Sequence, residues 1–157
     1  RIWLDQITGL KENDLQNING LNHYIGMAKI NPDDIPELNI MPYAIAFMIL
    51  FGLFNAVKGN NKSVITWLIL FIILGVIGMY DFYIWEYNYG HNLDLTAPIK
   101  VPGMTYQPPL LGSKQLLNIT AISLPAISAY IIFASIIFTA AALFINSKNK
   151  KQESKVK

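Results

Sequence analysis

Three stretches of the chain carry no charged side chain: Met41 to Val57, Ser63 to Tyr80 and Ile119 to Ile145. A helix rises about 1.5 Å per residue and the hydrocarbon core of a bilayer is about 30 Å thick, so roughly 17 to 25 apolar residues span it. The pattern predicts an all-α integral membrane protein with three transmembrane helices in this chain, at 41–57, 63–81 and 119–145. Pro42 suits the first turn of the first helix, where its missing N–H costs nothing. The third run would measure roughly 40 Å if wholly helical, so Pro125 is expected in its first turn or at a kink. The remaining segments are an N-terminal stretch at 1–40, a short loop at 58–62, an aromatic and proline-rich stretch at 82–118, and a disordered basic tail at 146–157.

Composition agrees with this division: 53% of residues are hydrophobic and 14% charged, against roughly 25% charged in soluble domains. Charge placement adds orientation. The 58–62 loop and the tail hold Lys58, Lys62, Lys148, Lys150, Lys151, Lys155 and Lys157 against the single acid Glu153. The other two segments hold five basic residues against nine acids. Lysine close to span ends marks the cytoplasmic side. The reading is therefore a multi-pass membrane protein with a cytoplasmic C-terminus and an ordered outer layer formed by 1–40 and 82–118. A polar forty-residue segment does not cross a membrane unaided, so a fourth helix is expected upstream of Arg1. A net charge of +2, with basic residues not grouped around aromatics, speaks against a nucleic-acid partner. The absence of cysteine restricts any metal to His, Met, carboxylate or carbonyl ligands.

On that topology both histidines, His23 and His91, lie outside, together with Met27 and Met104. Leu15, Ile18, Leu21 and Ile25 recur at helical spacing and form one stripe, with His23 on the opposite face. Gly26 is expected to end this helix, leaving Met27 in the loop that follows. The second span is expected to run past the membrane into YDFYIWEYNYG, where Phe82, Trp85 and Tyr89 belong to an interfacial aromatic belt. Gly90 is expected to stop it as the residue after the helix, placing His91 just beyond. Pro98, Pro102, Pro108 and Pro109 then predict an extended loop with Met104 at its middle.

Competing assignments of these residues are plain. His91 beside Asn92 and Asp94 fits a hydrogen-bonded surface histidine, and the methionines fit packing. Two histidines at loop positions are poor bis-axial haem ligands, which favour facing helices. The outer serines lack a nucleophile-elbow context. Asp33, Asp34 and Glu86 are read as solvated acids, and Ser135 with Thr139 as a helix-packing face. No acid, base and nucleophile set emerges, so the chain is read as a non-enzyme. The absence of charged residues within the three apolar runs also counts against a quinol-oxidising or transport role.

The strings INGLNHYIGM, YGHNLD with API following, and PGMTYQPPLLGSKQLLN resemble a family of small multi-span membrane proteins encoded among the accessory genes of the clade II, atypical, type of nitrous oxide reductase cluster. The resemblance runs from about Leu15 to Asn118. Members of that family have one more helix upstream, in keeping with the topology above. The resemblance implies a setting rather than a mechanism: the bacterial inner membrane, with the outer layer periplasmic and copper nearby. In that setting His23, Met27, His91 and Met104 become a candidate copper site, because thioethers prefer Cu(I) and imidazole accepts either oxidation state. Such a site requires His23 and His91 to approach each other on the outer face. The implied function is that of a membrane-anchored accessory protein supporting maturation of, or electron delivery to, the periplasmic enzyme. Its expected partners are the lipid bilayer and that copper enzyme or its assembly and electron-transfer proteins. The competing reading is a docking scaffold without a metal of its own.

Overall fold

The computed structural model describes residues 1–100, 102–116 and 119–156. Val101, Leu117 and Asn118 of the predicted outer segment, and Lys157 of the predicted tail, lie outside the described residues. The elements in order are α1 (Asp14–Ile25), a 3-10 turn (Pro32–Asp34), α2 (Glu37–Lys58), α3 (Asn61–His91), β1 (Gly112–Leu116), β2 (Ile119–Ser123) and α4 (Ile127–Val156). Three helices, α2, α3 and the 127–149 part of α4, are long and apolar enough to cross a membrane. The chain divides into two compact units. Unit 1 comprises Arg1–Ala46 and Met79–Ser123, and unit 2 comprises Phe47–Gly78 with the chain from Leu124 onward.

Each helix departs from its expected bounds for an identifiable reason. α2 begins four residues before Met41, so Pro42 lies inside the helix and not in its first turn. The start is set by the preceding chain, where Leu38, Asn39 and Ile40 donate to the carbonyls of Ile35 and Pro36. α3 runs on to His91 and so includes Asp81 and Glu86, which makes the second membrane-length helix longer and more polar at its end than the charge-free run suggests. The third run does not begin as helix. Ile119–Ser123 instead pairs antiparallel with Gly112–Leu116, in the register Gly112↔Ser123 to Leu116↔Ile119. Pro125 disfavours helical backbone at Leu124, while β-branched Ile119, Thr120 and Ile122 suit a strand. The architecture is thus mostly helical with one hairpin. α4 continues through the predicted tail to Val156, since Lys, Gln and Glu are good helix formers.

Unit 1 is held by short polar ties. The Asp14 carboxylate accepts the N–H groups of Leu10 (3.0 Å) and Lys11 (2.8 Å) and so sets the start of α1. The helix ends where Gly26 turns left-handed at φ 80°, a conformation that costs glycine nothing. Its inward face carries Asn19 and Asn22, whereas Ile18 (44% exposed) and Leu21 (49% exposed) of the apolar stripe face outward. Asn19 pairs with the backbone of Ile30 in both directions, at 2.7 and 3.0 Å, and lashes the following loop to α1.

In unit 2, the indole N–H of Trp67 donates to the Met48 carbonyl at 2.9 Å, the kind of partner a buried polar tip needs in an apolar surrounding. Asn60 caps α3 by accepting the Ser63 N–H at 3.0 Å, and the Ser63 hydroxyl donates to Asn55 at 2.6 Å. On α4 the hydroxyls of Ser135 and Thr139 are both half-buried and bond back to carbonyls of their own helix.

Candidate functional site

The polar centre of unit 1 forms where the end of α3 meets the end of α1. From Phe82 onward, α3 points Phe82, Trp85, Glu86, Tyr89 and Gly90 inward, a three-and-four spacing, and leaves Tyr83 and Tyr87 exposed. Trp85 stacks on Tyr89 at 4.9 Å and on Phe82 at 6.3 Å between ring centroids. The predicted aromatic belt is therefore divided, with one side serving as a core wall. Asn22 is buried and donates to both the Ala28 carbonyl (3.2 Å) and the Tyr89 hydroxyl. One carboxamide thus joins α1, its following loop and α3.

The loop after α3 returns over the same place. Asp94 N–H donates to the Gly26 carbonyl at 2.8 Å, Ile99 N–H to the Tyr24 carbonyl at 2.9 Å, and Tyr106 N–H to the Gly90 carbonyl at 3.0 Å. Gly90 is not the residue that stops the helix. It stays helical, and a Cβ there would lie 2.2 Å from the Cα and N of Gln107. The glycine is needed for backbone crossing backbone, and α3 ends one residue later. Gly26 meets a similar limit, with a Cβ falling 2.7 Å from the Asp94 carbonyl oxygen.

His91 is accordingly the last residue of α3, not the first beyond it. Its Nδ1 sits 2.8 Å from the Tyr87 carbonyl and its ring stacks on Tyr87 at 3.9 Å. A carbonyl only accepts, so Nδ1 carries the proton and the lone pair of the neutral ring is on Nε2. His23 is exposed and packs edge-on against Tyr24 at 5.9 Å. It lies close enough to Asp94 to contribute attraction. The Asp94 carboxyl is held below its ordinary value first by the Thr96 hydroxyl (2.7 Å) and then by the Thr96 N–H (2.8 Å), with smaller contributions from His23 and Lys100.

Met27, directly after the glycine turn, is buried at 8% exposure, and Met104 is half-buried two residues before Tyr106. The backbone bonds above bring the segments bearing all four predicted ligands into unit 1. Among the described residues no three His, Cys, Asp or Glu side chains group as a metal site. A metal held by this set depends on the thioethers.

Two residues central to this unit escape a reading by residue type. Glu86 is only 2% exposed, and its Oε2 bonds to no described residue, so it is not a solvated acid. Tyr106 is 1% exposed, with its hydroxyl likewise unbonded. The signal for Glu86 was its place four residues from Phe82 and from Gly90, on the face that the glycine marks as closely approached. Replacing Asn22 with Ala removes the donor to the Tyr89 hydroxyl and to the Ala28 carbonyl. A loss of about 1–3 kcal/mol in unfolding free energy is expected in a denaturant titration in detergent, because the partners stay buried. A change below 0.5 kcal/mol, the range of ordinary surface substitutions, would remove Asn22 from this central role.

The chain matches no protein-family model, no curated protein and no solved structure. The fold and the geometry of unit 1 define a class, a multi-span membrane protein bearing a polar, loop-covered unit.

Proposed function

We propose that this chain is a membrane-anchored accessory protein that supports maturation of, or electron delivery to, a periplasmic copper enzyme, nitrous oxide reductase. In this proposal unit 1 faces the periplasm, the C-terminus is cytoplasmic and the membrane is the bacterial inner membrane. The observation that carries the copper reading is the fixed imidazole of His91: Nδ1 is engaged by Tyr87, which leaves Nε2 as the ligand atom. The ring stands in the last turn of α3, where the helix end favours a positive charge. Met104 comes from a segment bonded through Tyr106 to Gly90 of α3, and His23 and Met27 from one bonded through Tyr24 and Gly26 to the loop after α3. Thioether and imidazole together suit Cu(I), and the proposed role involves no bond-making by the chain itself.

The alternative is a docking scaffold without metal, favoured by the exposed His23 and by the outward Ile18 and Leu21. Cu(I) binding by the purified chain separates the two. His91→Ala is expected to weaken Cu(I) affinity at least tenfold, as loss of a ligand or its orienting partner does at metal sites. Equal affinity in wild type and variant leaves the scaffold. Deletion of the gene is expected to lower whole-cell nitrous oxide reduction under copper limitation. Unchanged reduction would overturn both forms of the proposal.

A further inference from the structure

Unit 2 contains a groove of about 440 Å³ formed by all three long helices, a size within the roughly 300–1,000 Å³ of small-molecule sites. Its walls are apolar or small: Gly52 and Ala56 on α2, Trp67 on α3, Phe138 and Ala142 on α4. The Trp67 ring is a fixed wall, since its N–H is committed to the Met48 carbonyl. One end is polar. Asn61 and Asn146 line it and are joined there by a 2.7 Å hydrogen bond from the Asn146 amide. Exposed lysines flank those residues in the chain: Lys58 before Gly59, Lys62 after Asn61, and Lys148 two residues after Asn146. The unit's charge is one-sided. Residues 47–78 contain no acid, and the chain from 124 onward contains five lysines against Glu153 alone.

We propose that this groove binds an anionic phospholipid, with one acyl chain between the three helices and the phosphate at the end marked by Lys58, Lys62 and Lys148. The apolar walls belong to membrane-length segments, so their natural occupant is hydrocarbon. The lysines select the headgroup, since basic residues between or beside spans attract anionic lipid, each contributing a roughly fivefold preference. The proposal is independent of copper, because it concerns the other unit.

The test uses the full chain, purified in detergent and offered equal amounts of phosphatidylglycerol and phosphatidylcholine, with bound lipid counted by native mass spectrometry. Phosphatidylglycerol is expected to be retained at least tenfold over phosphatidylcholine. Combined Lys58→Ala, Lys62→Ala and Lys148→Ala should erase that preference while phosphatidylcholine binding stays as it was. Ala142→Phe fills the groove and should remove both lipids with helical content unchanged. If its helicity falls, Ala56→Leu on the facing wall serves in its place. Equal retention of the two lipids, or a preference that survives the triple substitution, overturns the proposal. So does a wild-type dimer that Ala142→Phe converts to monomer, since a second copy would then be the occupant.

Discussion

Gly90→Ala is expected to release the 102–107 segment from α3 and to lower the unfolding free energy by about 3 kcal/mol or more. Ordinary overpacking costs about 1–3 kcal/mol because side chains can rotate away. Here the atoms met are the Cα and N of Gln107, both at 2.2 Å, so relief requires the whole segment to move. That movement breaks the bond from Tyr106 N–H to the Gly90 carbonyl and exposes a tyrosine that is 1% accessible. Hydrogen exchange reads the effect directly. The Tyr106 amide should exchange far faster in the variant, while amides of unit 2, such as Val64 bonded to Asn60, keep their protection. Unaltered exchange at Tyr106 with an unaltered unfolding midpoint would show that the crossing is not close.

The membrane-length helices were legible because lipid solvent imposes a crude rule: some twenty residues without charge. The end of α1 was also legible, since Gly26 followed by Met27 has few other uses after an amphipathic stretch. The inward face of the last turns of α3 was not. In YDFYIWEYNYG six of the eleven residues are aromatic and they fall on every side of a helix, so periodicity of hydrophobicity vanishes, and only the small Gly90 and the acidic Glu86 mark which side is covered. Reading Gly90 as a helix stop used its conformational freedom, whereas the fold uses its missing side chain. The hairpin was hidden for a similar reason. Ile119 to Ser123 is as apolar as the helix that follows, and only Pro125 divides them.

The candidate site was legible by residue type and not by arrangement. His91 could be picked out from its neighbours, but the stacking on Tyr87 and the Nδ1 contact arise from its being in the helix rather than after it. The tie from Asn22 to Tyr89 spans 67 residues, a separation at which sequence pattern carries no information. Two backbone bonds of unit 1, from Asp94 to Gly26 and from Ile99 to Tyr24, join partners as distant, and unit 1 is where the proposed function resides.

Glu86→Met is expected to raise the stability of the protein, by about 1–3 kcal/mol. A buried polar atom without a hydrogen bond retains the cost of leaving water, which amounts to about that in mutational series. Glu86 is 2% exposed and its Oε2 has no bonding partner among the described residues, while Phe82, Trp85 and Tyr89 share its face with apolar surface. Methionine has a similar length, carries no charge and adapts to irregular space beside aromatic rings. Tyr106→Phe keeps the ring and removes only the unbonded hydroxyl, so it should stabilise by about 1 kcal/mol or less. The two gains are measured as unfolding midpoints in one detergent at one pH, and copper binding is measured on the same samples. Loss of more than 1 kcal/mol on Glu86→Met would overturn the expectation, because it would mean that the carboxyl makes a bond the methionine cannot replace.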